Sequence, residues 1–237
     1  MAIHAPTQIH LKEGRYRLNA RLRFSKDFDE RLEGTSLKEL VLQELSLQFS
    51  HQNPCLSNMI GNDYDFPQYK DTRIKIASTF QVVQEPPYVF FHYLDALGVC
   101  AVPMFVLWRW QQNKHIFMFR GDIRTKRIFT PLVFRKIAAH EFGHALGIND
   151  LYSGWAPYAL AYRREAAVTA EMPLHDIMRT HFIEQDFFTP NDLEMAWMAQ
   201  TQNAPQSHVR LGWYRGLRSV SPAIRLENVS PKPTKRT

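Results

Sequence analysis

The stretch that decides how this chain is interpreted is His140–Asp150, which reads HEFGHALGIND. Two histidines four residues apart, His140 and His144, lie one above the other on the same face of a helix, so their imidazoles can reach one metal ion. Two histidines at this spacing with an intervening glutamate form a zinc-binding pattern. Glu141 follows the first histidine and lies beside the metal without ligating it. Its carboxylate can therefore accept a proton from water and later return it to a leaving group.

Two residues beyond the second histidine sharpen this prediction. Gly147 can adopt the positive φ that ends a helix and turns the chain sharply. The turn carries Asp150 back toward the metal, where its carboxylate is the predicted third ligand. Two nitrogens and one oxygen leave the fourth tetrahedral position for water, as a catalytic zinc requires. We therefore predict that His140, His144 and Asp150 hold Zn²⁺ and that Glu141 is the catalytic general base.

The pattern HExxHxxGxxD over His140–Asp150 resembles the zinc signature of the metzincin endopeptidases. An aspartate as the last ligand is similar to the snapalysin branch of that clan, as is Leu151–Gly154 (LYSG) directly after it. The clan has a methionine turn (Met-turn) below the zinc, and Asp176–Arg179 (DIMR) with Met178 matches it. Thr180 stands where astacin-like members place a tyrosine, so the role of that tyrosine is not carried over.

The resemblance implies an α+β, metzincin-like fold. Its upper subdomain would hold a twisted mixed β-sheet and two helices above an active-site cleft, and its lower subdomain would hold the Met-turn and a C-terminal helix. We expect residues 1–202 to form this catalytic domain and residues 203–237 to form a basic C-terminal tail that is partly packed or flexible. The implied activity is zinc-dependent hydrolysis of peptide bonds inside protein or peptide substrates, with Glu141 assisting the attack of water.

Two alternative interpretations stay open. Glu165 lies 25 residues after His140, about where thermolysin-like (gluzincin) peptidases place a glutamate as the third zinc ligand. Gly147 and Met178 have no role in that arrangement. The chain can also be read as a catalytically restrained zinc-binding module that holds a protein partner in its cleft, although the presence of Glu141 does not favour this.

Residue patterning predicts strands on both sides of the first helix. Alternation of apolar and polar side chains, or a continuous apolar run, supports each of them. The segment Tyr88–Gly98 fits either a short helix or a loop. The predicted strands are Arg15–Phe24, Thr72–Phe80, Val102–Trp110, and a hairpin of His115–Phe119 with Ile123–Phe129 around Gly121 and Asp122.

Three helices are predicted from their capping signals. Thr35 or Ser36 can cap a helix that runs to about Phe49. Pro131 is suited to the first turn of the zinc helix, which Gly147 ends. Thr189-Pro190-Asn191-Asp192 is a helix start near the end of the expected catalytic domain.

Composition limits the compartment without fixing it. No run of 18 or more apolar residues occurs among the 237 residues, so no transmembrane segment is predicted. The first residues lack the basic and apolar regions of a secretory signal. A cytoplasmic protein, export by a non-classical or secretion-system route, and a chain that is already trimmed all fit this, and the sequence does not choose among them. The two cysteines, Cys55 and Cys100, are too few for a disulfide framework.

The net positive charge is concentrated at the C-terminus. Residues 203–237 carry seven Lys or Arg and one acidic residue, which accounts for the whole formal charge of +6. Such a tail is typical of a solvated terminus, and an anionic partner such as nucleic acid or a membrane surface is the alternative.

Overall fold

The computed structural model describes residues 5–61, 66–100, 114–148, 176–178 and 186–202. This part of the chain is a mixed α+β structure with a mixed sheet and no closed barrel. The strands are β1 (Thr7–Lys12), β2 (Arg15–Phe24), β3 (Arg31–Leu32), β4 (Thr35–Ser36), β5 (Lys75–Val82), β6 (Val89–Gly98), β7 (Lys114–Asp122) and β8 (Arg127–Ile128). The helices are α1 (Leu37–Gln48), α2 (Pro131–Leu146) and α3 (Pro190–Gln202), with short 3₁₀ turns at Lys26–Asp29 and Pro67–Tyr69.

The main sheet is built around β2, which pairs antiparallel with β1 and parallel with β5 and β6. Strand β6 continues the sheet by pairing parallel with β7, and β7 ends in a short antiparallel pairing with β8. Parallel neighbours need a crossover connection, and α1 lies in the connection between β2 and β5. The small strands β3 and β4 form a separate two-stranded sheet.

Strand β2 forms where the sequence predicts it. Its residues Tyr16, Leu18, Ala20 and Leu22 are buried on one face, whereas the intervening side chains are partly or fully exposed. This period of two presents one apolar face to the core. The helices cover the sheet: α1 packs against β5, α2 against β7, and α1 and α2 against each other.

The predicted helices are confirmed together with their caps. Ser36 and Glu39 form a reciprocal capping box at the start of α1. Thr130 caps α2, Pro131 occupies its first turn, and Gly147 terminates it.

Helix α3 starts at the predicted signal and reaches back to the N-terminal strand. Both the amide and the hydroxyl of Thr189 donate to Asp192 Oδ2, at 2.7 and 2.9 Å. Near its end, Gln200 Oε1 accepts from the Ile9 amide at 2.6 Å and Gln200 Nε2 donates to the Ile9 carbonyl at 2.8 Å. The side-chain amide therefore pairs with β1 as a neighbouring strand would, which ties the two ends of the described chain together.

Several strand predictions need correction. Tyr88–Gly98 is neither helix nor loop, because Val89–Gly98 forms β6 in the middle of the sheet. Strand β1 precedes the first predicted strand. The second predicted strand begins at Lys75 and runs to Val82. The hairpin turn lies after Asp122, since Gly121 and Asp122 themselves pair with β8.

Other predictions are partly or wholly beyond these residues. The predicted strand Val102–Trp110 and the basic tail 203–237 lie outside the described residues. Both cysteines are free thiols, and burial raises the pKa of Cys100 to about 12. In the described part of the chain, no helix is long and apolar enough to cross a membrane.

Candidate metal centre

The two predicted histidine ligands lie in the last two turns of α2, on one face of the helix. The centroids of the His140 and His144 rings are 4.7 Å apart, with the ring planes at 84°. His140 is buried, with 2% of its surface exposed, whereas His144 is only partly buried. The pair therefore lies at the border between the buried face and the more exposed face of α2. A catalytic metal site needs such a position, because a substrate must be able to reach it.

A backbone carbonyl fixes the orientation of each imidazole. His140 Nδ1 lies 2.8 Å from the Ile177 carbonyl oxygen, and His144 Nδ1 lies 2.7 Å from the Ile148 carbonyl oxygen. A carbonyl oxygen can only accept, so both Nδ1 atoms carry the proton and donate it. In a neutral imidazole the lone pair then belongs to Nε2. Both rings thus have the tautomer that coordinates a metal through Nε2, and this donor set fits zinc.

The turn after α2 supplies the second of these carbonyls. Gly147 has φ of +94° and ψ of +19°, and its amide donates to the carbonyls of Gly143 and His144. The Ile148 amide also returns to the Gly143 carbonyl, at 3.1 Å. The left-handed glycine therefore reverses the chain so that Ile148 faces His144, and the predicted role of Gly147 in ending the helix is confirmed.

Glu141 is also nearly buried, with 5% of its surface exposed. It lies on α2 directly after His140, and the apolar residues Ala138, Ala139 and Phe142 around it in the helix are fully buried. A carboxylate in such surroundings is only partly hydrated, so bulk water has little access to it.

Met178 packs against α2 at Gly143, between the two histidines. Met178 is fully buried, and its amide donates to Asp176 Oδ1 at 2.8 Å. A Cβ atom added to Gly143 would lie 2.5 Å from Met178 Sδ and 3.0 Å from the Phe188 ring. Gly143 thus allows the methionine and the aromatic ring to pack directly against the backbone of α2 between the two histidines.

Lys114, at the start of β7, holds the same end of α2 from the sheet. Its ammonium donates to the Ala145 carbonyl, one of the carbonyls that lack a partner within the helix. A cation at a helix C-terminus is also favourable for the helix dipole. Burial lowers the pKa of Lys114 to about 8. The end of α2 that carries His144 is therefore fixed to the sheet.

Sequence reasoning missed Gly143 and Lys114. A glycine inside a helix costs about 1 kcal/mol relative to alanine, so its presence signals a close approach by another group. That signal was available for Gly143. No comparable sequence signal marks Lys114, because its partner Ala145 lies 31 residues further along the chain.

The predicted third ligand, Asp150, and its alternative, Glu165, both lie outside the described residues. In the ranges that the structure describes, no group of three or more His, Cys, Asp or Glu side chains is arranged to hold a metal ion. The structure thus brings together His140, His144, Glu141 and Met178, and the third ligand stays a prediction.

Comparison of the chain with protein-family models, with curated proteins and with solved structures finds no match. The functional interpretation therefore depends on the motif and on the geometry of the residues around it.

Proposed function

We propose that this protein is a zinc-dependent endopeptidase of metzincin type, in which His140 and His144 hold the metal and Glu141 is the general base. The finer features of the metzincin architecture, namely an upper subdomain, a cleft and a lower subdomain with the Met-turn, belong to the same proposal. The substrates would be proteins or peptides.

One observation carries the proposal more than any other. Each histidine donates its Nδ1 proton to a main-chain carbonyl, at 2.8 Å for His140 and 2.7 Å for His144. Any buried imidazole needs a partner for its N–H, but here both neighbouring rings donate through Nδ1, which leaves the lone pair of each ring on Nε2. Histidines that ligate a metal almost always donate the other ring proton in this way, which fixes the tautomer and the ring plane.

Zinc at this position would supply Lewis-acid chemistry, by lowering the pKa of a water and polarising the scissile carbonyl. The residues of the chain would do the rest. His140 and His144 would hold the metal through Nε2. Glu141 accepts a proton on a carboxylate oxygen as water attacks and donates it to the leaving nitrogen. The low exposure of Glu141 limits competition from bulk water for that proton.

The proposed third ligand is Asp150, and Glu165 is the alternative. Substituting each one separately distinguishes the two. We expect Asp150→Asn to weaken zinc binding markedly and Glu165→Gln to leave it nearly unchanged, when affinity is measured by competition with a chromogenic chelator. The opposite result would establish the thermolysin-like arrangement.

The experiment that tests the function is cleavage of a diverse peptide library by zinc-loaded wild-type protein and by Glu141→Gln. Glutamine keeps the size of the side chain but cannot accept the proton, so we expect cleavage to fall by about 10²- to 10⁴-fold. A chelator should abolish the wild-type cuts, and the cut positions would define the side-chain preference.

Zinc affinity measured on the same two proteins separates the possible results. Equal zinc binding with activity only in the wild type supports the peptidase. Cleavage that survives in Glu141→Gln, or zinc binding without any cleavage by the wild type, would contradict it. The second of these results is what a zinc-binding module that holds a protein partner would give.

A further inference from the structure

A short backbone segment, Asp186–Phe188 (the strap), lies between the Met-turn and the two long helices. On one side it pairs with the Met-turn residues Asp176 and Ile177. Asp176 and Phe187 form an isolated parallel bridge, and the Ile177 amide donates to the Phe187 carbonyl at 3.0 Å. Ile177 in turn accepts the Nδ1 proton of His140. The strap is therefore two hydrogen bonds away from a proposed zinc ligand.

On its other side the strap is held by α1 and the loop that follows it. Gln48 Nε2 donates to the Asp186 carbonyl at 3.1 Å, and Gln48 Oε1 accepts from the Phe188 amide at 2.8 Å. Asn53 Nδ2 donates to the Phe188 carbonyl at 2.9 Å. Gln48 and Asn53 are both fully buried. The polar groups of a backbone segment buried among apolar side chains are thus satisfied by two side-chain amides.

A buried ion pair fixes the amide of Gln48 and adds a further contact with the strap. Glu44 Oε1 accepts from Gln48 Nε2 at 2.7 Å and lies 2.8 Å from Lys136 Nζ. Lys136, one turn before His140 on α2, also donates to the Asp186 carbonyl at 2.8 Å and lies over the Phe187 ring, 4.3 Å from its centroid. Both charged side chains are 1% exposed.

Burying such a pair is costly. Taking two charges out of water costs several kcal/mol per ion, and their attraction offsets this only when the geometry and the hydrogen bonds are good. A well-packed apolar pair would often give similar or greater stability. Here Glu44 orients the amide of Gln48, and Lys136 contacts the strap directly. This placement distinguishes a positioning role from a purely stabilising one.

We propose that Glu44, Gln48 and Lys136 are positioning residues for the metal site, which act through the strap and the Met-turn to hold the Ile177 carbonyl against His140. This inference rests on the proposed function in taking His140 as a zinc ligand. The path runs from Gln48 to the strap, from Phe187 to Ile177, and from Ile177 to the imidazole. It explains why side chains of α1, far from the histidines in sequence, contribute to the site.

The test is the substitution Gln48→Met, which keeps the side-chain length and introduces no charge but removes both contacts with the strap. We expect zinc affinity to fall by about 10-fold, the lower end of the effect seen when partners of metal ligands are removed. The visible spectrum of the Co²⁺-loaded protein should also change, because the ligand field depends on the orientation of the His140 ring. Both are measured on the full chain at a temperature where every variant is folded.

The matched control is Ser36→Ala, on the same helix. Ser36 caps α1 and has no contact with the strap, so its loss should lower the melting temperature yet leave the zinc affinity and the Co²⁺ spectrum at wild-type values. A second variant, Glu44→Met combined with Lys136→Met, removes both members of the buried ion pair. Arg135, which is partly exposed and lies 3.1 Å from Glu44 Oε2, also loses its partner in this variant. The double variant should weaken zinc binding in the same direction as Gln48→Met.

A measurement on metal-free wild-type protein guards against variants that fail to fold. Under increasing denaturant, the free energy of opening at the His140 Nδ1 proton should converge on that at the Ile177 and Phe188 amides, since one opening event would release all three. Each value is calculated from the exchange rate relative to the intrinsic rate of that type of group. A lower free energy of opening at the imidazole proton than at those two amides would overturn the inference. So would a zinc affinity and Co²⁺ spectrum in Gln48→Met equal to those of Ser36→Ala. If the wild type binds no zinc, the proposed function fails, and the exchange measurement still decides whether the network positions His140.

Discussion

Within the ranges that the structure describes, two pairs of neighbouring histidines are held in opposite ways. On α2, each of His140 and His144 donates its Nδ1 proton to a separate main-chain carbonyl. On the sheet, His92 of β6 and His115 of β7 contact each other directly, with Nε2 of the first 2.7 Å from Nδ1 of the second. The first pair thus uses only Nδ1 of each ring for contacts with the backbone, whereas the second pair uses ring nitrogens on each other.

The surroundings of the two pairs differ in the same sense. The His92 ring stacks on Phe117, with 4.7 Å between ring centroids, and lies 4.0 Å from the centroid of Phe90. Burial, and then the neighbouring His115, lower the pKa of His92 to about 4. The sheet pair is thus a neutral unit within an aromatic row. Two neighbouring histidines are therefore not enough for a metal site. A ligating ring also donates its other N–H to a partner such as a backbone carbonyl, which leaves the second nitrogen for the metal.

The largest expected effect is a difference in zinc affinity between the two pairs. His140→Ala should weaken zinc binding by roughly 10²- to 10³-fold, since a zinc site of four ligands is worth about 10–16 kcal/mol in total. His92→Phe should leave it unchanged, because phenylalanine can keep the stacking on Phe117. Chelator competition measures both. Loss of zinc in His92→Phe with retention in His140→Ala would reverse the assignment of the two pairs.

A smaller effect is expected when space below the α2 pair is filled. Gly143→Ala places a methyl group 2.5 Å from Met178 Sδ, and such overpacking costs about 1–3 kcal/mol, which exceeds the gain of about 1 kcal/mol in helix propensity. Urea denaturation should show the loss of stability. The double variant Gly143→Ala with Met178→Ala should lose less stability than the sum of the two single losses, because the shorter side chain at 178 provides space for the added methyl group. If the two losses of stability were fully additive, the methyl group at 143 and the Met178 side chain would not be in contact.

The turn that orients His144 can be tested against an equivalent turn elsewhere. Gly147→Ala and Gly34→Ala both place a side chain at positive φ, +94° and +89°, and each should cost about 1 kcal/mol of stability. Only Gly147→Ala should also weaken zinc binding, since Gly147 directs the Ile148 carbonyl to His144. An equal zinc affinity in the two variants would show that the turn at Gly147 does not contribute to metal binding.

The smallest expected effect is a loss of stability at acidic pH that depends on His92 in the sheet pair. His92 has a pKa of about 4 in the folded chain, below its usual value of 6.5, so the folded state disfavours the charged ring. The stabilising contribution of the neutral ring is complete above pH 6.5 and is lost as the pH falls through about 4. The urea midpoint of metal-free protein should therefore decrease over this range more in the wild type than in His92→Phe. The same pH dependence in both proteins would assign the effect to other groups.

The sequence predicted those features whose causes are local. The bounds of α1 and α2 follow from Ser36, Pro131 and Gly147, each of which acts on its own helix end. Strand β2 follows from strict alternation of buried and exposed side chains. The histidine spacing is likewise a property of one helix, which is why His140, His144 and Glu141 were found together.

Features that depend on distant partners were missed. Strand β6 has aromatic residues on both faces, such as Phe90 and Phe91, so it lacks the alternation of apolar and polar side chains that marks a strand. Its parallel partners β2 and β7 are remote in sequence. The same holds for the network that orients His140, since Gln48 and Asp186 are 138 residues apart. Pairing over such separations is decided by the packing of the whole domain.

The most direct test of the central claim is the ¹⁵N NMR spectrum of the histidine rings during titration with zinc. At one equivalent, Nε2 of His140 and of His144 should shift strongly, while their Nδ1 atoms stay protonated because Ile177 and Ile148 accept those protons. The resonances of His92 and His115 should not move. Zinc-induced shifts at Nδ1 of the α2 pair, or at the sheet pair instead, would contradict the account.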